Sequence, residues 1–584
     1  MKGQMVRYSL PGIGILTLAV VGTLTHNVPT LYASIIAICL VVTLVAFGKI
    51  GEGYFPYLLY CIGLGMVFMF TLAGPHLQGP DVHLQYYFAQ LYSGGEVWPP
   101  IRPTTPEAGI GATIIAPYLL KIFQIPLLYT FKVVYPILFA FVPVVLYSIF
   151  IRWINGREAF LASFLFIAFP SFLIEMPGIP EGMVAELLLI LTIFLIIASN
   201  LRLKYKIPPI IICGLLTSFI HYSVGVILII LLIIGFFIQL RIKGRMPTWA
   251  FGSCLIIILI GSSLFFATTV EGALARQLSL LYNSFVPEQI EVKLKEIPEF
   301  TEVPRPKEFV KPTPIPEKEA PKLPPLPERY EPLMQTALGL DFLEVPTSGQ
   351  FFRVLQWILV LLIPIGLVRL RRNKEYWIFT IGTIILIGLC LIPEFSSILN
   401  ATRFFHFSLI MLAPASIIGG ILIFRKPQIF TLCILIPYFL FTSGFIFEVT
   451  KQEDISRINI PYNIALSDHR VDLGATITEN DLEVADWIVE DAAFPLYSDL
   501  HASCLIGEKI GSRAEISSSF HRYENLMLPP PYYVFIRERN VWDGKVNVWS
   551  GIGCREFFPI EKYGININEN IIYQVGEARV LEVK

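Results

Sequence analysis

An acid and an imidazole stand two residues apart in the segment Gly79-Pro80-Asp81-Val82-His83, directly after a long apolar stretch. A carboxylate can accept the proton of a reacting hydroxyl group. Ionisable groups at the edge of a bilayer are costly and usually functional. The segment therefore predicts a functional site, with Asp81 and His83 as its catalytic candidates. The alternative is that Asp81 only caps the following helix and that His83 is a surface histidine.

Further polar side chains are expected at the same membrane face. Some are cations near the ends of long apolar stretches, and a cation there could bind a phosphate, Arg in a bidentate fashion. Each also has an ordinary explanation, because a histidine can bond a neighbouring helix and a cation can snorkel to the interface. Their collection on one face is what favours a binding site. The predicted substrate-binding residues are Arg102, Lys132, Glu181, His221, Tyr222 and Arg403.

The elements that must position these residues are transmembrane helices. The chain has 584 residues, of which 54% are hydrophobic and only 15% are charged. Soluble proteins average about a quarter charged residues. The net charge of −1 gives no basis for nucleic-acid binding. Because a span needs about 20 apolar residues, the sequence predicts thirteen spans. They lie near residues 9–24, 29–48, 54–73, 127–150, 157–174, 181–199, 207–222, 224–240, 248–268, 352–370, 376–393, 404–424 and 427–446.

The distribution of Lys and Arg over the loops predicts the orientation. Alternate loops contain Lys or Arg, whereas the intervening short loops 25–29 and 175–180 contain neither. Since basic loops stay in the cytoplasm, the N-terminus is predicted inside and the C-terminus outside. The first span is interpreted as a retained signal anchor, without a cleavage site. The basic loops are 48–53, 152–157, 202–206, 241–245, 369–374 and 425–426.

The first predicted outer loop, 74–126, carries the Asp81 segment and two helices. Leu84, Tyr87, Phe88 and Leu91 follow each other at helical spacing and predict an amphipathic helix. The second apolar stretch, 109–123, is short and rich in glycine, so we expect a helix that lies at the membrane interface. The alternative for this stretch is a tightly packed additional span.

Composition divides the rest of the chain. Thirteen prolines lie between Pro287 and Pro346, which predicts an extended polyproline-II strap or a mobile stalk. The predicted divisions are 1–268 for a transmembrane core, 269–350 for the Pro-rich outer loop, 351–447 for the C-terminal transmembrane helices and 448–584 for an extracytoplasmic domain.

The last of these regions predicts a small α/β domain. Thr478 and Asp481 form a capping-box pattern. Cys504 and Cys554 would face an oxidising space outside the cell, where they could form a disulfide. No Cys-x-x-Cys pair occurs, so zinc and thioredoxin-type sites have no support. The predicted elements are helices at 478–490 and 501–510, strands at 495–499 and 532–536, and a hairpin at 570–583.

With these motifs the arrangement resembles the GT-C superfamily of membrane glycosyltransferases. The shared features are many spans, an Asp-containing motif in the first outer loop, interfacial helices after it and a C-terminal outer domain. Five motifs are similar to those of a largely archaeal branch of the superfamily. They are Gly-Pro-Asp-Val-His at 79–83, Pro-Glu-Gly-Met at 180–183, Phe-Ile-His-Tyr-Ser at 219–223, Tyr-Ser-Asp at 497–499 and Ile-Tyr-Gln-Val-Gly at 572–576.

The resemblance implies a fold and a function. The fold is a polytopic all-α membrane domain with a small C-terminal α/β domain outside the cell. The function is inverting transfer of a sugar from a polyprenyl-phosphate donor to a glycan, lipid or protein acceptor at the outer face of the cell membrane. Asp81 matches the first-loop Asp that serves as base or as metal or acceptor contact. Many relatives carry a second acid there, where this chain has His83. The resemblance thus implies that Asp81 and His83 could hold a divalent metal ion such as Mg²⁺ or Mn²⁺.

Two other function classes stay open. A transporter or lipid flippase predicts ionisable residues at mid-bilayer on facing helices, and only Lys132 and Glu186 qualify. A non-catalytic cell-surface binding protein would use the Pro-rich strap and the C-terminal domain, and would need no cavity beside Asp81. The chain has no GxxxxGK[ST], HExxH or GxSxG motif, so an ATP-driven pump, a zinc protease and a nucleophile-elbow hydrolase have no support. A cavity that joins Asp81, His221 and Arg403 would favour the glycosyltransferase.

Overall fold

The structure is a computed structural model in which helices predominate and a small sheet lies near the C-terminal end. Most of the predicted Pro-rich strap lies outside the residues that it describes, so that prediction stays open. The described residues are 2–95, 109–197, 200–242, 244–269, 339, 342–343, 345–390, 401–450, 463, 465–466, 477–491, 496–510, 517–519, 532–549, 555–563 and 565–583.

Membrane-spanning helices form the body of the protein. Within the described ranges, nine are long and apolar enough to cross a membrane, and a pair bent by 58°, Gly156–Ile167 with Ser171–Gly178, is a tenth candidate. The nine are Val28–Ala46, Glu52–Thr71, Leu127–Phe150, Pro180–Ile197, Leu203–Ile220, Tyr222–Gln239, Thr248–Ala267, Thr347–Leu370 and Arg403–Phe424.

The other three predicted spans are also helices, but they are shorter. Their apolar parts are Leu10–Leu24, Trp377–Cys390 and Pro427–Thr442. All thirteen predicted spans therefore coincide with helices, which confirms a polytopic helical fold. The count of thirteen crossings and the orientation stay predictions.

Proline shapes four helices, three of them predicted spans, in the same way. In each, the residue before a proline donates its N–H to the carbonyl five residues back and so forms one turn of π-helix: Ala116 to Gly111, Tyr135 to Thr130, Met176 to Ser171 and Ile436 to Thr431. A proline has no N–H, and its ring clashes with the carbonyl four residues back. The wider turn removes that clash, and single π-turns are frequent at functional sites.

Pro136 shows how a carbonyl freed in this way is satisfied. The carbonyl of Lys132, four residues back, would have bonded the missing N–H, and it accepts a hydrogen bond from the Thr71 hydroxyl at 2.9 Å instead. Thr71 is the last residue of the helix that precedes the Asp81 loop. The proline therefore ties the end of that helix to the span Leu127–Phe150.

Small side chains bring helix Thr347–Leu370 against helix Ala401–Phe424. A Cβ at Gly366 would lie 1.8 Å from the Ala415 carbonyl oxygen, and one at Gly419 would lie 2.0 Å from that of Leu362. Backbones can approach this closely only where side chains are minimal. Ser416, between the two contacts, donates its hydroxyl to the Leu359 carbonyl at 2.8 Å. This contact fixes the helix that begins beside Arg403.

The amphipathic helix of the first loop is confirmed as Pro80–Ser93, but two details differ from the prediction. Gly79 occupies the cap position at φ +104°, so Asp81 lies in the first turn and is not the cap. Gly79 also packs on Gly178, since a Cβ there would lie 3.1 Å from the Gly178 Cα. The most buried stripe is Val82, Gln85, Ala89 and Tyr92 rather than the predicted one.

The second predicted loop helix is also present, as a π-turn Gly111–Ile115 followed by Ala116–Phe123. It is too short to span a membrane. Tyr118, Ile122 and Phe123 are each more than half exposed. Exposed aromatic and aliphatic side chains on a short helix are typical of an element at the membrane interface.

The C-terminal region forms an α/β unit. Its strands β1 to β7 are, in chain order, Leu496–Ser498, Ser517–Ser519, Tyr532–Ile536, Lys545–Trp549, Arg555–Pro559, Ile571–Val575 and Ala578–Val583. Its helices are Glu479–Asp491, Leu500–Ile510 and Glu538–Asp543. Five strands form a sheet in the order β2-β1-β3-β7-β6, in which β1 is parallel to β2 and β3, and β7 is antiparallel to β3 and β6. A second sheet pairs β4 with β5.

The capping box of this domain is confirmed, because the Thr478 and Asp481 side chains each accept the backbone N–H of the other residue. A buried ion pair joins the ends of β1 and β3, where Arg537 donates to both carboxylate oxygens of Asp499. Asp499 also accepts the Ala502 N–H at the start of helix Leu500–Ile510. Cys504 is buried in that helix, but Cys554 lies outside the described residues, so the disulfide stays a prediction.

The C-terminal domain contacts the first loop directly. Helix Leu500–Ile510 packs along helix Pro80–Ser93. The two elements therefore lie on the same side of the membrane-spanning body, at the end where the Asp81 loop lies.

Candidate functional site

A cavity of about 220 Å³ lies where the first loop meets the ends of the long helices. It brings together five of the predicted site residues, among them the three that were expected to share a cavity. Its walls are otherwise mostly apolar and aromatic. The predicted residues that line it are Asp81, Glu181, His221, Tyr222 and Arg403.

Helix N-termini surround this cavity. Among the described elements, five helices begin at its wall: Pro80–Ser93, the loop helix from Gly111, Pro180–Ile197, Tyr222–Gln239 and Ala401–Phe424. Leu203–Ile220 and Thr248–Thr269 end there. Each N-terminus carries a partial positive charge of about half an elementary charge, and each C-terminus the opposite. The backbone thus gives the cavity a net positive field, which favours an anionic ligand.

Glu181 is held at the inner wall by the loop helix. Its side chain is buried, and Oε1 accepts the backbone N–H of Ala112 at 2.5 Å. Two glycines make room for it. A Cβ at Gly109 would lie 2.8 Å from Glu181 Oε2, and one at Gly111 would lie 2.8 Å from its Cγ. The carboxylate therefore stabilises the N-terminus of the loop helix and closes the cavity on that side.

Arg403 enters the cavity from the first turn of its helix. Its Nη2 is 3.9 Å from Asp81 Oδ2, and its Nε is 4.0 Å from Glu175 Oε2. Both distances exceed that of a hydrogen bond. Nε has no hydrogen-bond partner within the described residues. About half of the Asp81 side chain is exposed, so this carboxylate remains accessible from the cavity.

His221 forms the break between two spans and stays neutral. Its Nδ1 is 3.0 Å from the Ser223 hydroxyl, and its ring lies parallel to that of Tyr222. Withdrawal of the ring from water, together with the positive charge of Arg403, lowers the pKa of His221 to about 3. A neutral imidazole can hydrogen-bond a ligand but cannot neutralise one. Arg403 is thus the only Lys or Arg among the described residues that line the cavity.

His83 does not join this site, which corrects the prediction. On a helix, side chains two residues apart point to different sides. His83 is buried behind the helix, with its ring 5.5 Å from that of His76, whereas Asp81 lines the cavity. The two predicted ligands therefore lie on different sides of this helix, and the metal site stays a prediction. No group of three or more metal-ligating side chains occurs among the described residues.

Lys132 also lies away from the cavity. It is buried in a π-turn, and its Nζ donates hydrogen bonds to the carbonyl oxygens of Gly74 and of His76, the latter at 3.1 Å. Its ammonium group therefore holds the chain just before the Asp81 loop, and the predicted contact with substrate is not supported. Arg102 lies outside the described residues, so its predicted role stays open.

One acid and one histidine near the site were not among the predicted site residues. Glu175 lies beside Arg403, in the segment Ser171–Gly178 that follows the 58° bend. His406 was not considered, yet its Nε2 is 2.9 Å from Glu186 Oε1, and both side chains are fully buried. A histidine one turn after Arg403 was the available signal for that pair.

Comparison with known proteins covers the C-terminal part of the chain. Residues 343–581 match a family described as "Predicted membrane protein (DUF2206)". The matched region contains Arg403 and the α/β domain, but not Asp81, Glu181 or His221. A search of curated proteins finds no match. The family match and the apolar helices together identify the chain as a multi-span membrane protein.

Proposed function

We propose that the protein is a membrane glycosyltransferase that moves a sugar from a polyprenyl-phosphate donor to an acceptor hydroxyl group, with Asp81 as the general base. The observation that carries the proposal is the shared cavity of Asp81, Glu181, His221 and Arg403. It combines an accessible carboxylate with a cation in a positive backbone field.

The electrostatics support a phosphate ligand. Glu181 already occupies the N-terminus of the loop helix, so four helix N-termini are left to favour an anion, and Arg403 adds a formal positive charge. Its guanidinium makes no close bond to Asp81 or Glu175, so it keeps donors for bidentate contact with phosphate oxygens. The departing polyprenyl phosphate would develop its charge at this point.

The walls support a lipid-linked ligand. Phe219, Phe265 and Phe266 line the cavity, and the last two belong to a helix with exposed Ile260 and Leu264. Exposed aliphatic side chains on a membrane-spanning helix face lipid. The cavity volume of about 220 Å³ is below the about 300–1,000 Å³ of pockets that enclose whole small ligands. It suits a head group whose lipid tail stays in the bilayer.

The chemical step balances with the side chains present. Asp81 takes the proton of the acceptor hydroxyl group as its oxygen attacks the anomeric carbon. The bond between that carbon and the phosphate oxygen breaks, and the electron pair leaves with the polyprenyl phosphate beside Arg403. Attack opposite the leaving group inverts the anomeric configuration. Glu181 and neutral His221 would orient the sugar hydroxyl groups.

A transporter or flippase is the alternative, and one observation favours it. Glu186 and His406 face each other on neighbouring membrane helices, which is the arrangement that a transporter predicts. Neither residue lines the cavity. A transporter would move its substrate without breaking a bond, so formation of a glycosylated product distinguishes the two. The cavity beside Asp81 counts against the third class, a non-catalytic binding protein.

Binding of the leaving group tests the proposal without knowledge of sugar or acceptor. Purified protein should bind polyprenyl phosphate, and the uncharged polyprenol should bind much more weakly. Arg403→Lys loses the planar fork, and loss of charge-assisted hydrogen bonds should weaken phosphate binding by about 10- to 100-fold. Arg371→Lys, at an exposed arginine beyond the end of its helix, is the matched control. Equal affinity of wild type and Arg403→Ala would show that the assignment is wrong.

A further inference from the structure

A hydrogen-bonded acid–histidine pair lies one turn beneath the cavity. Glu186 follows Glu181 by five residues on helix Pro180–Ile197, and His406 follows Arg403 by three on helix Ala401–Phe424. The Nε2–Oε1 distance is 2.9 Å, and neither side chain is exposed. Glu186 Oε2 and His406 Nδ1 have no partner among the described residues. The pair is thus the only polar contact that either side chain makes there.

Two helices that carry cavity residues meet at this pair, together with the segment that leads to Glu175. The two helices are those of Glu181 and Arg403. The bent segment meets the pair because Phe166 lies 4.4 Å and Phe169 lies 5.9 Å from the His406 ring, measured between ring centroids. The relative positions of these elements around His406 therefore set the distances and angles between the charged side chains at the cavity.

We propose that Glu186 and His406 are positioning residues, whose hydrogen bond fixes Arg403 relative to Glu181 and Glu175. A rotation or slip of either helix would separate two polar groups inside the membrane, where no water can replace the lost partner. Apolar contacts alone tolerate such shifts more readily, because they have no directional requirement. The pair therefore favours one alignment of the two helices, and that alignment sets the position of Arg403.

Stability does not explain the pair. Replacing a buried polar pair by apolar side chains of similar size is often neutral or stabilising. The double variant Glu186→Leu/His406→Phe keeps the volume and the aromatic contacts, so it should fold and melt at least as high as wild type. The alignment should be lost while the fold is kept, which separates positioning from a purely structural role.

The reactivity of Arg403 measures its position without any ligand. Phenylglyoxal modifies exposed guanidinium groups, and mass spectrometry of the purified full chain gives the rate at Arg403. In the double variant this rate should rise by at least about twofold, the lower end of the coupling between contacting residues. Glu186→Gln can still hydrogen-bond the imidazole as donor or acceptor, so its rate should equal that of wild type.

Ser416→Ala is the matched control. It removes another buried polar contact from the same helix, about 20 Å from Arg403 by helical rise, and should leave the Arg403 rate unchanged. An unchanged rate in the folded double variant would overturn the proposal. If the double variant does not fold, the single change Glu186→Leu removes the hydrogen bond without leaving a buried carboxylate, and it carries the same expectation and the same contradicting result.

The consequence for ligand binding rests on the proposed function. The double variant should bind polyprenyl phosphate more weakly than wild type, and Glu186→Gln should bind it as wild type does. If wild type binds no polyprenyl phosphate, the proposed function fails, but the Arg403 modification rates still decide the positioning role.

Discussion

Arg403 lies between Asp81 and Glu175 at 3.9 and 4.0 Å, close enough for attraction and too far for a hydrogen bond to either. A tight ion pair would occupy the guanidinium and the carboxylate with each other. The observed spacing leaves the guanidinium without a close bond to either carboxylate. Under the proposed function, the same spacing would let a phosphate oxygen contact Arg403 as an acceptor hydroxyl group approaches Asp81.

The contact between Gly109 and Glu181 should tolerate no added methyl group. Gly109→Ala places a Cβ 2.8 Å from Glu181 Oε2 and 2.9 Å from the Ile220 carbonyl oxygen. We expect a loss of about 1–3 kcal/mol in the free energy of unfolding, since overpacking of a buried site costs this much. Gly14→Ala is the control, because no atom lies within 4 Å of its Cβ position. Equal melting temperatures of the two variants would contradict the geometry of this wall.

The lowered pKa of His221 predicts a loss of stability in acid. Between its unfolded pKa of about 6.5 and its folded pKa, the unfolded chain binds a proton that the folded chain does not, so stability falls as the pH falls. From pH 6.5 to 5.0 the loss is up to about 2 kcal/mol. Thermal melts at the two pH values measure it. His221→Gln cannot titrate, and it should lose less stability than wild type over the same interval; an equal loss in both would argue against a neutral His221.

The orientation of the C-terminal domain can be tested by labelling of intact cells. Glu561 is exposed in that domain, and Arg371 is exposed in a predicted cytoplasmic loop. If basic loops stay inside, a membrane-impermeant thiol reagent should label Glu561→Cys and not Arg371→Cys, with the wild-type chain as background. The reverse pattern would place the cavity and its domain on the cytoplasmic side.

The Asp499–Arg537 pair should be essential to the C-terminal domain. Arg537→Ala leaves a buried carboxylate without its cation, and such a change costs about 3–5 kcal/mol. Lys509→Ala breaks a more exposed ion pair in the same domain and should cost about 0–1 kcal/mol. Hydrogen exchange of strands β1 and β3 measures both effects. Similar exchange in the two variants would mean that the buried pair is not needed.

The sequence predicted the cavity better than it predicted the loop beside it. Span ends could be placed because apolar length and basic loops are strong signals, and this brought Asp81, His221 and Arg403 to one face. His83 was misplaced because the segment was treated as a loop, whereas Pro80 begins a helix that turns His83 away from Asp81. Lys132 was misplaced because its ammonium group binds the carbonyl oxygens of Gly74 and His76. These residues lie in a turn, and a turn has no periodic sequence pattern from which it could be predicted.

The π-turns were predictable in principle from their prolines, but their consequences were not. Pro177 lies two residues after Glu175, and a proline there predicts a distorted turn. The bend itself lies earlier, between Ile167 and Ser171, and its direction, which brings Glu175 to Arg403, depends on packing against other spans. The Glu186–His406 contact could not be predicted from the sequence either, since the two residues are 220 positions apart in the chain.

Sugar transfer by Asp81→Asn protein tests the central claim most directly. Asn keeps the size of the side chain and removes only the charge and the basicity, and Asp81 is not the helix cap, so the variant should fold. The assay uses purified protein with a panel of polyprenyl-phosphate sugars and an extract of the host membranes as acceptor, and a thermal melt checks the fold. Wild type should form a glycosylated product, and Asp81→Asn should form it about 10²- to 10⁴-fold more slowly, the contribution of a general base. Near-normal transfer by Asp81→Asn, or no product from wild type with any donor, would contradict the account.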